Sequence, residues 1–174
     1  LLLIGLLIFA GMMAEGVMYD WCVLYLSQEL GMPQAQAGLG FAVFSLAMAL
    51  ARFGGDSLRA RYDERSLLRA GALLSAVAMA LLLLLRHPGF ALVGYLFVGI
   101  GLALVVPILF TAATRVPGTS RAASIAAVSS VGYAGFLVGP PLIGFVAHAT
   151  SLSVAMGLVV VAASVLAWGA RRTA

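Results

Sequence analysis

The sequence contains no lysine, a single cysteine, and charged side chains at only 9% of its 174 positions. Soluble domains are about one quarter charged, so a soluble surface cannot be assembled from this composition. The lone Cys22 excludes an internal disulfide and any multi-cysteine metal site. His87 and His148 both fall between apolar runs, where solvated loop positions are expected. No HExxH occurs, and no GxSG, which removes the usual zinc-protease and six-helix serine-protease arrangements. The opening "LLLIGLL" has neither Met nor a basic flank, so it does not resemble a signal peptide; it reads as the start of a piece cut from something longer.

What remains is apolar: 63% of residues are hydrophobic, and 20 are glycine. No soluble fold of this length hides so much apolar surface, so lipid must be the main solvent. Six apolar stretches are each long enough to cross a hydrocarbon core about 30 Å thick, near 1–26, 35–56, 67–85, 90–113, 122–147 and 151–170. Breakers separate them: "SQELGMPQ", "SLRARYDER", "RHPG", "TRVPGTSR" and "HATSLS". Pro33 and Pro117 suit the lead-ins of spans two and five.

All ten basic residues are arginines, and nine of them flank loops 2–3 and 4–5 and the C-terminus; Arg86 alone lies on the other side. The positive-inside rule therefore predicts cytoplasmic termini. Trp168 is expected in the inner aromatic belt and Tyr25 near the outer one.

Polar residues favour spans one (Glu15, Tyr19, Asp20), two (Ser45), four (Tyr95) and five (Ser124, Ser129, Ser130, Tyr133), while spans three and six are dry and fit a lipid-facing periphery. The order repeats after three spans, which predicts an all-α membrane bundle built as a 3+3 inverted repeat, with halves near 1–86 and 87–174. On span five, Ser129, Tyr133 and Phe136 share one side, and Gly132, Gly135 and Gly139 the neighbouring side, where a GxxxG spacing allows close helix approach. Pro140 and Pro141 follow and are expected to kink the helix. "GIG" at Gly99–Gly101 lacks a preceding strand and is no nucleotide signal; it implies a flexible or closely packed span, and no cofactor is expected.

"AEGVMYDWCVLYLSQELG", "ARFGGDSLRARYDERSLLRAGALL" and "VGYAGFLVGPPLIGFVA" together resemble the C-terminal six helices of a major facilitator superfamily transporter, in the bacterial branch of inner-membrane permeases to which fucose permease is more distantly related. The resemblance covers essentially the whole chain. It implies a missing N-terminal six-helix half and a small-solute substrate lying between the halves. Asp56, Arg59, Arg61 and Arg65 match the chemistry of the superfamily's loop signature. Arg52 stands where its first glycine is usual, and Asp63 near the second, where a left-handed turn residue is expected. The resemblance implies that such a loop latches one conformation of the transport cycle. Arg52 and Asp56 are four apart and can pair at the membrane boundary.

Two acids interrupt span one. Glu15 lies near the bilayer midplane, where a carboxylate must be protonated, paired, or facing water. With Arg52 assigned to the loop, no intramembrane cation is available, so Glu15 is expected to carry a proton, meet the missing half, or face a wet cavity. Tyr19 lies one turn away and can bond a polar solute. Asp20 is about 140° from Glu15 around the helix, on another face, unless the helix unwinds near Gly16. Trp21 is expected to be a packing or interfacial aromatic, and Cys22 a small buried residue. The functional expectation is a secondary transporter of the bacterial inner membrane working by alternating access, with Glu15 binding proton or solute. The alternatives are a non-transporting structural subunit and, remotely, an intramembrane enzyme.

Overall fold

The computed structural model describes residues 1–172, and among them every regular element is helical. The elements are α1 (Leu2–Leu24), continued by a π-helical turn (Tyr25–Glu29), α2 (Gln34–Arg61), α3 (Glu64–Leu85), α4 (Pro88–Leu102), α5 (Val105–Thr114), α6 (Arg121–Ala149) and α7 (Leu152–Gly169). With α4 and α5 as two pieces of one span, six helical segments are long and apolar enough to cross a membrane.

Four helices, α3, α4, α6 and α7, start where a side chain supplies a partner for free N–H groups. Asp63, Ser120 and Ser151 accept from the backbone N–H of Ser66, Ala123 and Val154. His87 does the same for Gly89 ahead of Pro88, so this loop histidine is a cap. Asp63 is extended (φ −61°, ψ 133°), which corrects the expectation of a left-handed residue there: as the cap of α3 it needs β-region dihedrals. The left-handed non-glycine residue among those described is Arg86 (φ 47°), which ends α3.

The neighbour relations repeat on exchange of the two chain halves. Span one packs on span five as span four packs on span two; span one meets span six as span four meets span three; and spans three and six meet each other. This is the pairing that a 3+3 inverted repeat requires. Glycine sets the closest crossings. A Cβ on Gly135 would lie 2.4 Å from the Phe9 carbonyl oxygen, and one on Gly139 2.9 Å from that of Met13, so α6 rests directly on the α1 backbone. In the other half, Gly99 faces the Phe44 carbonyl of α2, while Gly101 and Gly71 appose α4 and α3. Two residues apart, Gly99 and Gly101 look in opposite directions, so "GIG" wedges α4 between two neighbours.

The paired loops place the ends of the bundle. Arg65 donates to the carbonyls of Ala170 and Arg171, joining the start of α3 to the end of α7 at the arginine-rich end. At the opposite end, Glu29 accepts from Arg86 at 3.2 Å and from Ser153 at 2.8 Å. Tyr25, expected at an interfacial belt, is instead fully buried in the core. Trp168 is half-exposed, with the Arg172 guanidinium 4.0 Å from its ring centroid.

Candidate functional site

α2 runs five residues beyond the end expected for its span, through "SLRAR", because the chain stays helical until Tyr62 turns it towards the Asp63 cap. All five residues read as a loop signature are thus helical: Arg52, Asp56, Arg59 and Arg61 lie on α2, and Arg65 lies in the first turn of α3. Arg52 is nine residues inside the α2 end, roughly 13 Å along the axis.

That depth brings Arg52 to Glu15. Its Nη2 donates to both carboxylate oxygens, at 3.1 and 3.0 Å. The Glu15 side chain is 11% exposed and that of Arg52 41%. This corrects two sequence expectations. A cation is available within the spans, and Arg52 pairs across helices with Glu15 instead of along its own helix with Asp56. The physical reason is burial: Glu15 is enclosed and must be compensated, whereas Asp56 is exposed and can be hydrated.

Arg52 has a second task. Pro107 has no N–H, so the carbonyl of Ala103, four residues earlier, loses its regular helical donor, and the span breaks at residues 103–104. The Arg52 Nε donates to that carbonyl at 3.2 Å. One guanidinium thereby joins the middle of α1, α2, and the break between α4 and α5.

Arg52 is also a shared wall. On one side is a cavity of about 380 Å³ lined by Tyr19, Ser45, Met48, Ala49, Arg52 and Phe53. On the other is one of about 480 Å³ bounded by Gly55, Asp56, Arg59, Leu104, Val106, Pro107 and Phe110. Tyr19 sits in an aromatic group with Phe41, Phe44 and Phe136, at ring separations of 5.7, 5.3 and 6.3 Å. Its hydroxyl lies 3.8 Å from the Met48 sulfur and also interacts with the Glu15 carboxylate. The Ser45 Oγ is buried and has no hydrogen-bond partner among the described residues.

The other candidates separate from this cluster. Asp20 is exposed and has no ion pair with a described residue. α1 stays helical across Gly16, which faces the Phe136 carbonyl that Pro140 leaves without a donor, so no unwinding swings Asp20 towards Glu15. Tyr95 is fully buried and donates to the Cys22 carbonyl at 3.2 Å; it is a core tether between α4 and α1, not a cavity wall. Ser129 is half-buried and Tyr133 62% exposed on α6, and neither lines the cavity beside Arg52. Gly132, Gly135 and Gly139 all face α1, and the Pro140 carbonyl accepts from the Trp21 indole N–H at 3.1 Å.

Sequence reasoning missed a network at the arginine-rich end. Arg59 donates to Glu64 and, at 2.9 Å, to Thr111, while Glu64 also accepts from Arg115 at 3.0 Å. The ends of α2 and α5 are thus tied to the start of α3. The available signal was Glu64 itself, an acid among arginines. Arg61 extends from the last turn of α2 and is exposed. Among the described residues, no three His, Cys, Asp or Glu side chains gather as a metal site.

This architecture has close counterparts. The chain is 40% identical over 97% of its length to an uncharacterized MFS-type transporter of Yersinia pestis, and 35% identical over 95% to the membrane protein MosC of Rhizobium meliloti. It spans 44% and 42% of those relatives' own lengths. Among solved structures it matches the Escherichia coli fucose:proton symporter FucP with a TM-score of 0.88 at 18% identity, covering 99% of this chain and 42% of that one. A second FucP structure, described as outward in conformation, gives 0.89 over the same shares. The family model for the Major Facilitator Superfamily matches residues 1–173. The chain therefore belongs to the Major Facilitator Superfamily.

Proposed function

We propose that this chain is one six-helix half of a secondary transporter that moves a small solute by alternating access, with Glu15 as the group that takes up a proton or contacts the solute. The other six helices would precede it, both termini of this segment would face the cytoplasm, and the membrane would be a bacterial inner membrane. The arginine distribution supports the orientation, and the partial coverage of relatives named as transporters supports the missing half.

The observation that carries the reading is the Glu15–Arg52 pair, placed between the spans, whose Arg52 lines two cavities. A pair in a low-dielectric interior contributes little net stability compared with apolar packing, so its presence is better explained by use than by folding. Protonating Glu15 removes the charge that holds Arg52. Arg52 also supports the α4–α5 break, so loading the site and bending span four share one side chain.

Solute-driven alkalinisation of an unbuffered suspension of cells containing the full-length protein tests this. Adding the transported solute raises external pH with the wild-type chain, and Glu15→Gln abolishes the change. Normal alkalinisation in that variant would sink the coupling role. A structural subunit that carries nothing would give no alkalinisation with either chain.

A further inference from the structure

The inference rests on the transport reading above and concerns the chemical class of the solute. A guanidinium carries five N–H donors. Arg52 commits Nε to Ala103 and Nη2 to Glu15; its Nη1 has no hydrogen bond to a described residue. The side chain is 41% exposed and lines the cavity of about 380 Å³. The same cavity has the partnerless Ser45 Oγ and the Tyr19 hydroxyl, which meets the weak Met48 sulfur acceptor and also interacts with the Glu15 carboxylate. Met48, Ala49 and Phe53 supply apolar walls. The cavity thus offers one uncommitted cationic edge, one unpartnered hydroxyl, a second hydroxyl shared with Glu15, and an apolar remainder.

The geometry points to a small hydroxylated monocarboxylate as the solute, bound together with one proton. The proton goes to a Glu15 carboxylate oxygen, and the solute's carboxylate takes the guanidinium that Glu15 releases. The empty site carries −1 on Glu15 and +1 on Arg52. The loaded site carries a neutral Glu15, +1 on Arg52 and −1 on the solute. Both sums are zero. A proton alone would leave an uncompensated cation between the spans, and the anion alone an uncompensated anion, each costly away from water. Electroneutrality therefore makes the two ligands bind cooperatively, with binding stronger at low pH.

Among the described residues, no other charged side chain lines the cavity of about 380 Å³. Tyr19 adjoins Glu15 on α1, and Asp20 is exposed on another face. On α2, Asp56 and Arg59 lie beyond Arg52, against the second cavity. α5 and α7 hold no titratable side chain; α6 holds Arg121 and His148 at its two ends and the exposed Tyr133.

The test is thermal stabilisation of the purified full-length protein by lactate, glycerate and gluconate, each against its neutral counterpart lactamide, glycerol or glucose, at about pH 5.5 and about pH 8. At least one acid should bind, more tightly at the lower pH by up to about tenfold per pH unit, which is the limit for one linked proton. Its neutral counterpart should not bind. Arg52→Gln should weaken binding at least about tenfold, through loss of charge-assisted hydrogen bonds. Glu15→Gln should retain binding and lose its pH dependence. If Arg52→Gln does not fold, Glu15→Gln decides alone, and pH-dependent binding in that variant overturns the inference. So does failure of every acid to stabilise the wild-type protein, or equal binding of an acid and its neutral counterpart. Glu15-dependent, proton-driven uptake of a neutral solute would leave the transport reading standing and overturn this one.

Discussion

Gly135→Ala should separate α1 from α6. The added Cβ would stand 2.4 Å from the Phe9 carbonyl oxygen and 3.0 Å from both its carbonyl carbon and Cα. All three are backbone atoms, so no rotamer relieves the clash, and the helices must part by roughly 1 Å to restore ordinary contact. Gly132 against Met12 and Gly139 against Met13 lie on the same seam and would loosen with it. Overpacking of this kind costs about 1–3 kcal/mol, and the helix preference of Ala over Gly returns about 1 kcal/mol. The net expectation is a loss of about 0–2 kcal/mol, read as a fall of up to a few degrees in the thermal unfolding of the full-length protein in detergent. Gly157→Ala is the internal control. Nothing lies within 4 Å of its added Cβ, so only the propensity gain remains and stability should hold or rise slightly. Equal unfolding temperatures for the two variants would refute the close α1–α6 crossing.

Tyr95→Phe removes the donor to the Cys22 carbonyl and should cost about 0.5–1.5 kcal/mol in the same unfolding assay, while leaving solute KM unchanged because the ring lies away from the cavity. Arg86→Ala should shift stability by less than about 1 kcal/mol, since its pair with Glu29 is exposed and Glu29 keeps Ser153. Arg59→Ala should loosen the arginine-rich end, detected as faster amide exchange in the last turn of α2 and the first of α3; unchanged exchange would show that the Glu64 network does not hold them.

Hydropathy located all six spans because the lipid core imposes a length and a polarity that any sequence must obey. The alternation of wet and dry spans pointed to the repeated three-helix plan, and glycine spacing to the α6 packing seam. The Glu15–Arg52 pair was hidden for a different reason. Its members are 37 positions apart on helices whose relative register no local pattern encodes. Arg52 also lies within the expected span 35–56, yet its place in a loop signature drew it to the boundary. Asp63 misled in a related way: an Asp near a turn suits either a left-handed residue or a helix cap, and only Ser66, three residues on, favours the cap. Tyr95 could not be told from a pathway residue, because a buried tether and a cavity wall both place a hydroxyl on a glycine-rich helix. The two-residue interruption after Leu102 was foreshadowed by Pro107, but the carbonyl it freed needed a partner from another helix to be understood.

The candidate site is held most directly by the ion pair across α1 and α2, and a double-mutant cycle measures it. Arg52→Gln leaves the nearly enclosed Glu15 without its cation, and Glu15→Gln leaves a part-exposed Arg52 without its anion. Discounted for the exposure of Arg52, each should cost about 1–3 kcal/mol of unfolding free energy in the full-length protein at neutral pH. The double variant strands neither charge, so it should be more stable than the sum of the single losses allows, by at least about 1 kcal/mol. Additive losses, with no coupling between the two positions, would contradict the pair and with it the site built around it.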